Sequence, residues 1–207
     1  MTRQQILISE LLLIFIILPA LYYFNLLPIP KMAGLLLVAS YCTGVLWVDK
    51  EFKVSQLSHR PAVPGMWKKL ALKSLIIALA VTALTLLTQP AHLFQLPRRH
   101  PILWIAIIFL YPLLSVIPQE IIYRVFFFHR YRKIIAPAWL MITASACSFS
   151  FLHIVYHNGW AISFALIGGF LFARNYHKNH SLYWVCVEHS LYGWIIFTVG
   201  MGHYFYK

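Results

Sequence analysis

Seven stretches of the 207-residue chain are apolar over roughly the length that a helix needs to cross a bilayer. These stretches lie near 6–24, 32–48, 70–88, 102–128, 137–155, 160–174 and 181–199. A hydrocarbon core takes roughly 17–25 apolar residues per helix. Helices are favoured there because a helix satisfies its own backbone polar groups, whereas an open strand does not. The pattern predicts an all-α fold, a polytopic helical membrane bundle of about seven transmembrane helices.

The composition supports a chain that lies almost entirely in the membrane. Hydrophobic residues make up 61% of the sequence and charged residues 11%, against about 25% charged residues in a soluble domain. The mean hydropathy is +0.73. We therefore expect a single transmembrane domain over residues 1–207 and no separate soluble domain. The three cysteines all fall in apolar stretches, which indicates neither a disulfide framework nor a metal knuckle.

The net charge of +12 reflects membrane topology better than it reflects a nucleic-acid partner. A cluster of basic residues separates the second and third apolar stretches: Lys50, Lys53, Arg60, Lys68, Lys69 and Lys73. The positive-inside rule places this loop, and with it the amino terminus, in the cytoplasm. We expect an integral protein of a bacterial inner (plasma) membrane, with membrane lipid as a partner and no nucleic acid.

Two carboxylates, Glu120 and Glu188, lie deep inside predicted spans, and they are the feature most suggestive of function. A carboxylate at the bilayer centre costs about 2.5–3.5 kcal/mol on insertion scales, so such a residue is a functional-site hypothesis by default. Arg124 follows Glu120 by four residues and lies on the same helical face, where a charge-assisted pair lowers the joint cost of burial.

Two histidines lie at similar depth on other helices. His153 follows Phe149 at four-residue spacing in the fifth stretch, and His189 directly follows Glu188 in the seventh. A carboxylate or an imidazole can take a proton from water while a second imidazole donates to an oxyanion. The set therefore indicates hydrolysis by activated water, without a side-chain nucleophile and without a cofactor.

These residues resemble the three-motif signature of the CPBP family, which comprises the CAAX proteases and bacteriocin-processing enzymes also called Abi proteins. Gln119-Glu120-x-x-x-Arg124 resembles the family's EExxxR, Phe149-x-x-x-His153 its FxxxH, and His189 the start of its HxxxN. The resemblance covers about residues 100–205. It implies an all-helical, glutamate-type intramembrane endopeptidase, in which a Glu and the His of FxxxH activate water and the last His and Asn hold the oxyanion.

Carried over to this chain, the resemblance gives Glu120, Arg124, His153 and His189 as catalytic residues. Three further residues are expected to support them: Gln119, Phe149 and Glu188. The expected substrate is a hydrophobic or membrane-bound peptide. Gln119 stands where the family has its first Glu and Gly193 where it has Asn, so we expect Glu120 to act as the base. The alternative is a catalytically impaired relative that binds a peptide.

Two other interpretations of these residues remain open, a metal site and a pathway for protons or solutes. His153 and His157 form H-x-x-x-H, and on one helix face they could bind Zn²⁺ with Glu120 or His189. The polar groups could instead form a proton or solute pathway. The chain contains no internal inverted repeat of the kind common in transporters, which favours the hydrolase.

Two local patterns predict how the helices are built. Pro112 and Pro118 interrupt the fourth stretch, and we expect the backbone to open near Pro118, beside Glu120. In the sixth stretch small residues recur every four positions, which lets a neighbouring backbone approach closely. They are Ala161, Ala165, Gly169 and Ala173.

Overall fold

A computed structural model describes residues 2–206, and within that range every regular element is helical. Seven main helices follow one another along the chain. They are α1 (Arg3–Tyr23), α2 (Lys31–Val48), α3 (Met66–Thr88), α4 (Pro101–Arg130), α5 (Ala138–Tyr156), α6 (Gly159–Asn179) and α7 (Leu182–Val199). A short helix, Gln95–Arg99, precedes α4.

Each predicted apolar stretch forms a helix, which confirms the all-α membrane bundle. Helices α1 to α5 are long and apolar enough to cross a membrane. Helices α6 and α7 have 21 and 18 residues but fall outside that group, because residues such as Asn175, Glu188 and His189 lower their hydropathy. Asn175, Glu188 and His189 are buried, so they serve the interior of the bundle.

Helix α6 packs closely on α5 through its small residues, as the four-residue spacing predicted. A side-chain carbon on Gly169 would lie only 3.0 Å from the carbonyl oxygen and 3.2 Å from the Cα of Ala146. Ala161, Ala165 and Ala173 on the same face are buried. The close approach brings the polar residues at the ends of both helices toward the centre of the bundle.

Helix α4 carries two π-helical turns, at Pro112–Val116 and Ile121–Phe126. Pro118 itself lies in the α-helical segment Ile117–Glu120 between them, so the distortion flanks Glu120 on both sides rather than starting at Pro118. A π-turn inserts an extra residue into the helix and alters which face the following residues occupy, and such turns occur frequently at functional sites. Side chains on either side of Glu120 therefore point in directions that a regular helix would not allow.

Ion pairs close one end of the bundle. Glu10 of α1 accepts two hydrogen bonds from Arg130, at the end of α4, each at 2.9 Å. After α2, the Asp49 carboxylate lies 3.0 Å from Nε2 of His129. The backbone N–H of Glu51, followed by His129, lowers the pKa of Asp49. These contacts hold α1 and the residue after α2 against the end of α4.

Candidate active site

A cavity of about 610 Å³ lies between α3, α4, α5, α6 and α7. Most of its wall is apolar. A few polar side chains converge on it: Tyr111, Ser115, Gln119, His153, Tyr156, His189 and Tyr192. An apolar cavity with a small number of convergent polar groups is the usual form of a small-ligand or substrate site.

Glu120 lies behind the cavity wall, between a histidine and an arginine. Nδ1 of His189 donates to Oε1 of Glu120 at 2.7 Å. Nε of Arg124 lies 3.2 Å from Oε2 of the same carboxylate. Glu120 and Arg124 are fully buried, and neither lines the cavity, whereas His189 does. The predicted pair of Glu120 and Arg124 is therefore present, and the carboxylate reaches the cavity only through His189.

Arg124 is held among aromatic rings and backbone groups. Its guanidinium carbon lies 5.0 Å from the ring centroid of Phe149 and 5.9 Å from that of Phe172. Nη1 donates to Oγ of Ser145 at 2.8 Å and to the carbonyl of Tyr123 at 3.2 Å. These contacts compensate in part for the burial of a full charge.

The pairing of Arg124 with Glu120 leaves several polar atoms unsatisfied. Nε of Arg124 and Oε2 of Glu120 are close enough for an ion pair but are not aligned as a hydrogen bond, and Nη2 of Arg124 is also without a partner among residues 2–206. Buried polar groups are normally hydrogen-bonded, so exceptions in a native structure call for an explanation. A cluster that tolerates this cost is typical of a functional site rather than of a stabilising one.

His153 also lines the cavity, at the point where α5 changes from an α-helix to the 3₁₀ turn His153–Tyr156. Its Nδ1 donates to the carbonyl oxygen of Phe149 at 2.8 Å. A carbonyl can only accept, so in the neutral ring the proton is on Nδ1 and Nε2 keeps its lone pair. The same reasoning applies to His189, whose Nδ1 faces a carboxylate. In its neutral form each imidazole therefore has a lone pair on Nε2.

Phe149 connects the three motifs physically. Its ring lies edge-on to His153 and to His189, with centroids 4.9 Å and 5.6 Å apart, and beneath the Arg124 guanidinium. The His189 ring also stacks on Phe172 at 4.4 Å. Aromatic contacts thus hold both imidazoles in fixed orientations at the cavity wall.

The two positions that depart from the family pattern both lie at this cavity. The Gln119 amide lines the wall, and its Nε2 donates to Oγ of Ser115 at 2.8 Å. At Gly193, a side-chain carbon would lie 2.5 Å from the hydroxyl of Tyr111. Tyr111 was not predicted, because one tyrosine in an aromatic-rich apolar stretch gives no signal of its own.

Glu188, the other deep carboxylate, belongs to a separate network. Its Oε1 accepts from Lys73 of α3 at 2.8 Å and from Tyr192 at 2.7 Å, and its Oε2 accepts from Asn175 of α6 at 2.6 Å. Glu188 does not line the cavity. Lys73 was predicted only as part of the basic loop, and Asn175 was not predicted, because nothing in the sequence pairs residues so far apart.

His157 does not join His153. The turn between them is 3₁₀, with three residues per turn, so a four-residue spacing no longer repeats one face. His157 adopts φ of 53° and stacks on Tyr23 at 4.5 Å, beside a different depression. Among residues 2–206, no three His, Cys, Asp or Glu side chains are placed to hold a metal ion together.

Comparison with known proteins gives one match. Residues 101–195 match the family model of type II CAAX prenyl endopeptidase Rce1-like proteins, which is a little under half of the chain. No curated protein and no solved structure matches the chain. The matched segment includes Glu120, Arg124, His153 and His189, and at the level of the family it supports an endopeptidase that works in the membrane. The match over residues 101–195 thus confirms the resemblance to the CPBP family.

Proposed function

We propose that the protein hydrolyses a peptide bond in a hydrophobic or membrane-proximal peptide, using water held between His153 and His189. One observation carries this proposal. Each imidazole uses Nδ1 to bind a fixed acceptor, so each keeps a lone pair on Nε2, and both rings line the same apolar cavity. Two lone pairs can accept the two hydrogens of one water and leave its oxygen free to attack a carbonyl carbon.

In this mechanism His189 is the general base. As the water oxygen bonds to the carbonyl carbon, a water proton moves to Nε2 of His189 and the carbonyl oxygen becomes an oxyanion. The Glu120 carboxylate stabilises the imidazolium, as the carboxylate of a serine-protease triad does. The proton then passes to the leaving amine as the C–N bond breaks, which regenerates the neutral His189.

Glu120 in this scheme is a positioning residue rather than the direct base that the sequence led us to expect. Its Oε1 binds His189, its Oε2 faces Arg124, and its side chain has no exposure to the cavity. The Gln119 amide then does not prevent catalysis, because an imidazole takes the proton that an amide cannot accept. Arg124 places its guanidinium 3.2 Å from this carboxylate.

The cavity wall supports a hydrophobic substrate. It includes Ile107 and Leu110 of α4 and Leu171 of α6, and it provides few hydrogen-bonding groups away from the two histidines. Helix α3, which lies outside the matched segment, contributes Ile77 and Val81. We therefore propose one transmembrane domain over residues 1–207, with a catalytic core at about 100–205 completed by the amino-terminal half.

We also propose that the protein lies in a bacterial plasma membrane with its amino terminus in the cytoplasm. The support is the basic loop between α2 and α3, which follows the positive-inside rule. A reporter inserted beside Arg60 should give a cytoplasmic signal, and one fused after residue 207 an external signal. Cytoplasmic signal from both would require an even number of spans between them.

The proposed function is tested by cleavage of fluorescence-quenched hydrophobic peptides, with and without a prenylated cysteine, by purified protein in liposomes. His153→Ala and His189→Ala should each lower kcat by about 10²–10⁴-fold, the usual contribution of general acid–base help. His157→Ala is the matched control and should keep turnover, because that ring faces another depression. Cleavage that survives both cavity variants would overturn the proposal.

The competing possibility is a relative that binds a peptide without cutting it. Gln119 and Gly193 favour it, because both lack the side chains that the family pattern has at the cavity. Such a protein would bind the quenched peptides with an affinity that changes on substitution of Leu171 or Leu110, and it would release no product at any enzyme concentration.

A further inference from the structure

One face of α7 lacks a side chain at Gly193, and an aromatic side chain of α4 occupies that space. His189, Gly193 and Phe197 recur at four-residue spacing, so they lie above one another on this face. Gly193 leaves a gap in the row, and the phenol of Tyr111 fills it. A carbon added to Gly193 would lie 2.5 Å from Oη and 2.6 Å from Cζ of Tyr111.

Tyr111 is held in this gap by two rings of α7 and by the fixed register of α4 and α7. Its ring meets His189 edge-on at 6.0 Å and Phe197 edge-on at 5.4 Å, which brackets it along α7. Two turns earlier on α4, Nε1 of Trp104 donates to Oγ1 of Thr198 at 2.9 Å and secures the register of the two helices. The π-helical turn begins at the next residue, Pro112. The position of the phenol is therefore set by packing and is not a chance rotamer.

The proposed reaction needs a hydrogen-bond donor at this place. When water attacks, the carbonyl oxygen becomes an oxyanion, and a neutral imidazole that already donates through Nδ1 has no second N–H to offer it. His153 is in that condition, and the N–H that His189 gains at Nε2 from the water is needed by the leaving amine. Gly193 has no side chain. The Tyr111 hydroxyl lines the cavity next to His189 and always carries a donor hydrogen.

We propose that Tyr111 is a further catalytic residue, whose hydroxyl donates a hydrogen bond to the oxyanion of the tetrahedral intermediate. The proton stays on the phenol oxygen throughout. The bonds that form and break are those of the proposed hydrolysis, on which this inference depends. Gly193 is then not a lost donor but the space that admits a donor from the facing helix.

The first test is Tyr111→Phe, which keeps the ring in its gap and removes only the hydroxyl. Loss of one oxyanion donor costs about 10²–10³-fold in kcat. KM should stay within about twofold, because the contact is made only in the transition state. Tyr183→Phe, on α7 but away from the cavity, is the matched control and should keep both constants.

The second test measures binding, without turnover. A phosphinic peptide carries a tetrahedral, anionic group in place of the scissile amide, so it reports on donors to the oxyanion. Tyr111→Phe should weaken binding of a phosphinic version of the cleaved peptide by at least tenfold and leave binding of an uncleavable N-methyl amide version unchanged. The double variant Tyr111→Ala with Gly193→Asn should regain part of the phosphinate affinity, since it returns a donor to the same face.

The outcomes separate this inference from the proposed function. Cleavage by the wild type with an unchanged kcat in Tyr111→Phe overturns the role of Tyr111 and leaves the hydrolase standing. No cleavage by the wild type, together with no preference for the phosphinate over the amide, overturns the hydrolase and this inference with it. A selective loss of kcat and of phosphinate affinity in Tyr111→Phe supports both.

Discussion

The two deep carboxylates, Glu120 and Glu188, are equally buried but differ in how they are satisfied. Both oxygens of Glu188 accept hydrogen bonds, from Lys73, Tyr192 and Asn175. Glu120 has one hydrogen-bonded oxygen, held by His189, and a second that meets Arg124 without a hydrogen bond. The protein thus contains one carboxylate with a complete set of partners and one with an incomplete set.

The difference separates stabilisation from function. The network of Glu188 joins α3, α6 and α7 and ends at Lys73, whose side chain is 45% exposed. Glu120 instead contacts a histidine at the cavity wall, and its arginine is fully buried. Glu188 and His189 are adjacent in sequence, yet they lie on different faces of α7 and serve these different networks. A buried carboxylate therefore does not identify a site until its partners are known.

The largest expected effect is on turnover, and it should distinguish the two carboxylates sharply. Glu120→Gln removes the charge that stabilises the His189 imidazolium, so kcat should fall by about 10²–10⁴-fold. Glu188→Gln makes the same chemical change at a carboxylate that meets the cavity only through the hydroxyl of Tyr192, and it should lower kcat by less than about tenfold. The measurement is peptide hydrolysis per folded protein in liposomes.

Folding has to be followed alongside, because Glu120→Gln leaves the Arg124 guanidinium buried without its counter-charge. Thermal unfolding in detergent provides that control. If Glu120→Gln keeps full activity, or if Glu188→Gln loses as much as Glu120→Gln, the assignment of function to one carboxylate and stability to the other is incorrect.

An intermediate effect is expected on stability. Lys73→Met removes the cation from the Glu188 network and leaves a buried carboxylate with only Tyr192 and Asn175, which should cost about 1–3 kcal/mol. Because Lys73 is half exposed, solvent screening keeps the cost toward the lower end. The melting temperature in detergent should fall by several degrees, and kcat per folded molecule should not change.

Lys69→Met provides the matched control for Lys73→Met. Lys69 lies one turn earlier on α3 and is exposed, so its substitution should leave the melting temperature within about a degree. Equal destabilisation by the two variants would mean that charge at the end of α3 matters and that the contact with Glu188 does not.

The smallest effect is expected from Gln119→Glu, which adds a carboxylate next to that of Glu120. Gln119 already lines the cavity, so a Glu at this position would face the water of the proposed reaction directly, as the first Glu of the family pattern would. Activity should be kept or should rise, within about tenfold, because His189 already supplies a base. Peptide hydrolysis by the two proteins under identical conditions gives the answer, and Ser115→Ala, which removes only the partner of the Gln119 amide, is the control.

A different result would be equally informative. If Gln119→Glu cleaves the peptides and the wild type cleaves none, the natural chain is a binding protein whose site lacks its base. Glu188 would then be the carboxylate that stabilises the fold, and position 119 the place from which the catalytic carboxylate has been lost.

The sequence predicted most of the architecture because membrane insertion depends on local composition. Seven apolar stretches became seven helices, and the small-residue spacing in α6 correctly predicted its close packing on α5. The motif residues were also predicted together: Glu120 and Arg124 pair, and His153 and His189 line one cavity. Local signals of this kind are readable because each depends on neighbours within one or two helical turns.

What only the tertiary structure decided is the direction and the partner of each polar group. Gln119 lines the cavity and Glu120 lies behind it, and the 3₁₀ turn after His153 separates it from His157. Lys73 reaches Glu188 across 115 positions of sequence, and Tyr111 fills a gap on a helix more than 80 positions away. A sequence read one helix at a time cannot contain these contacts, because a buried charge is satisfied by whichever groups the packed helices bring to it.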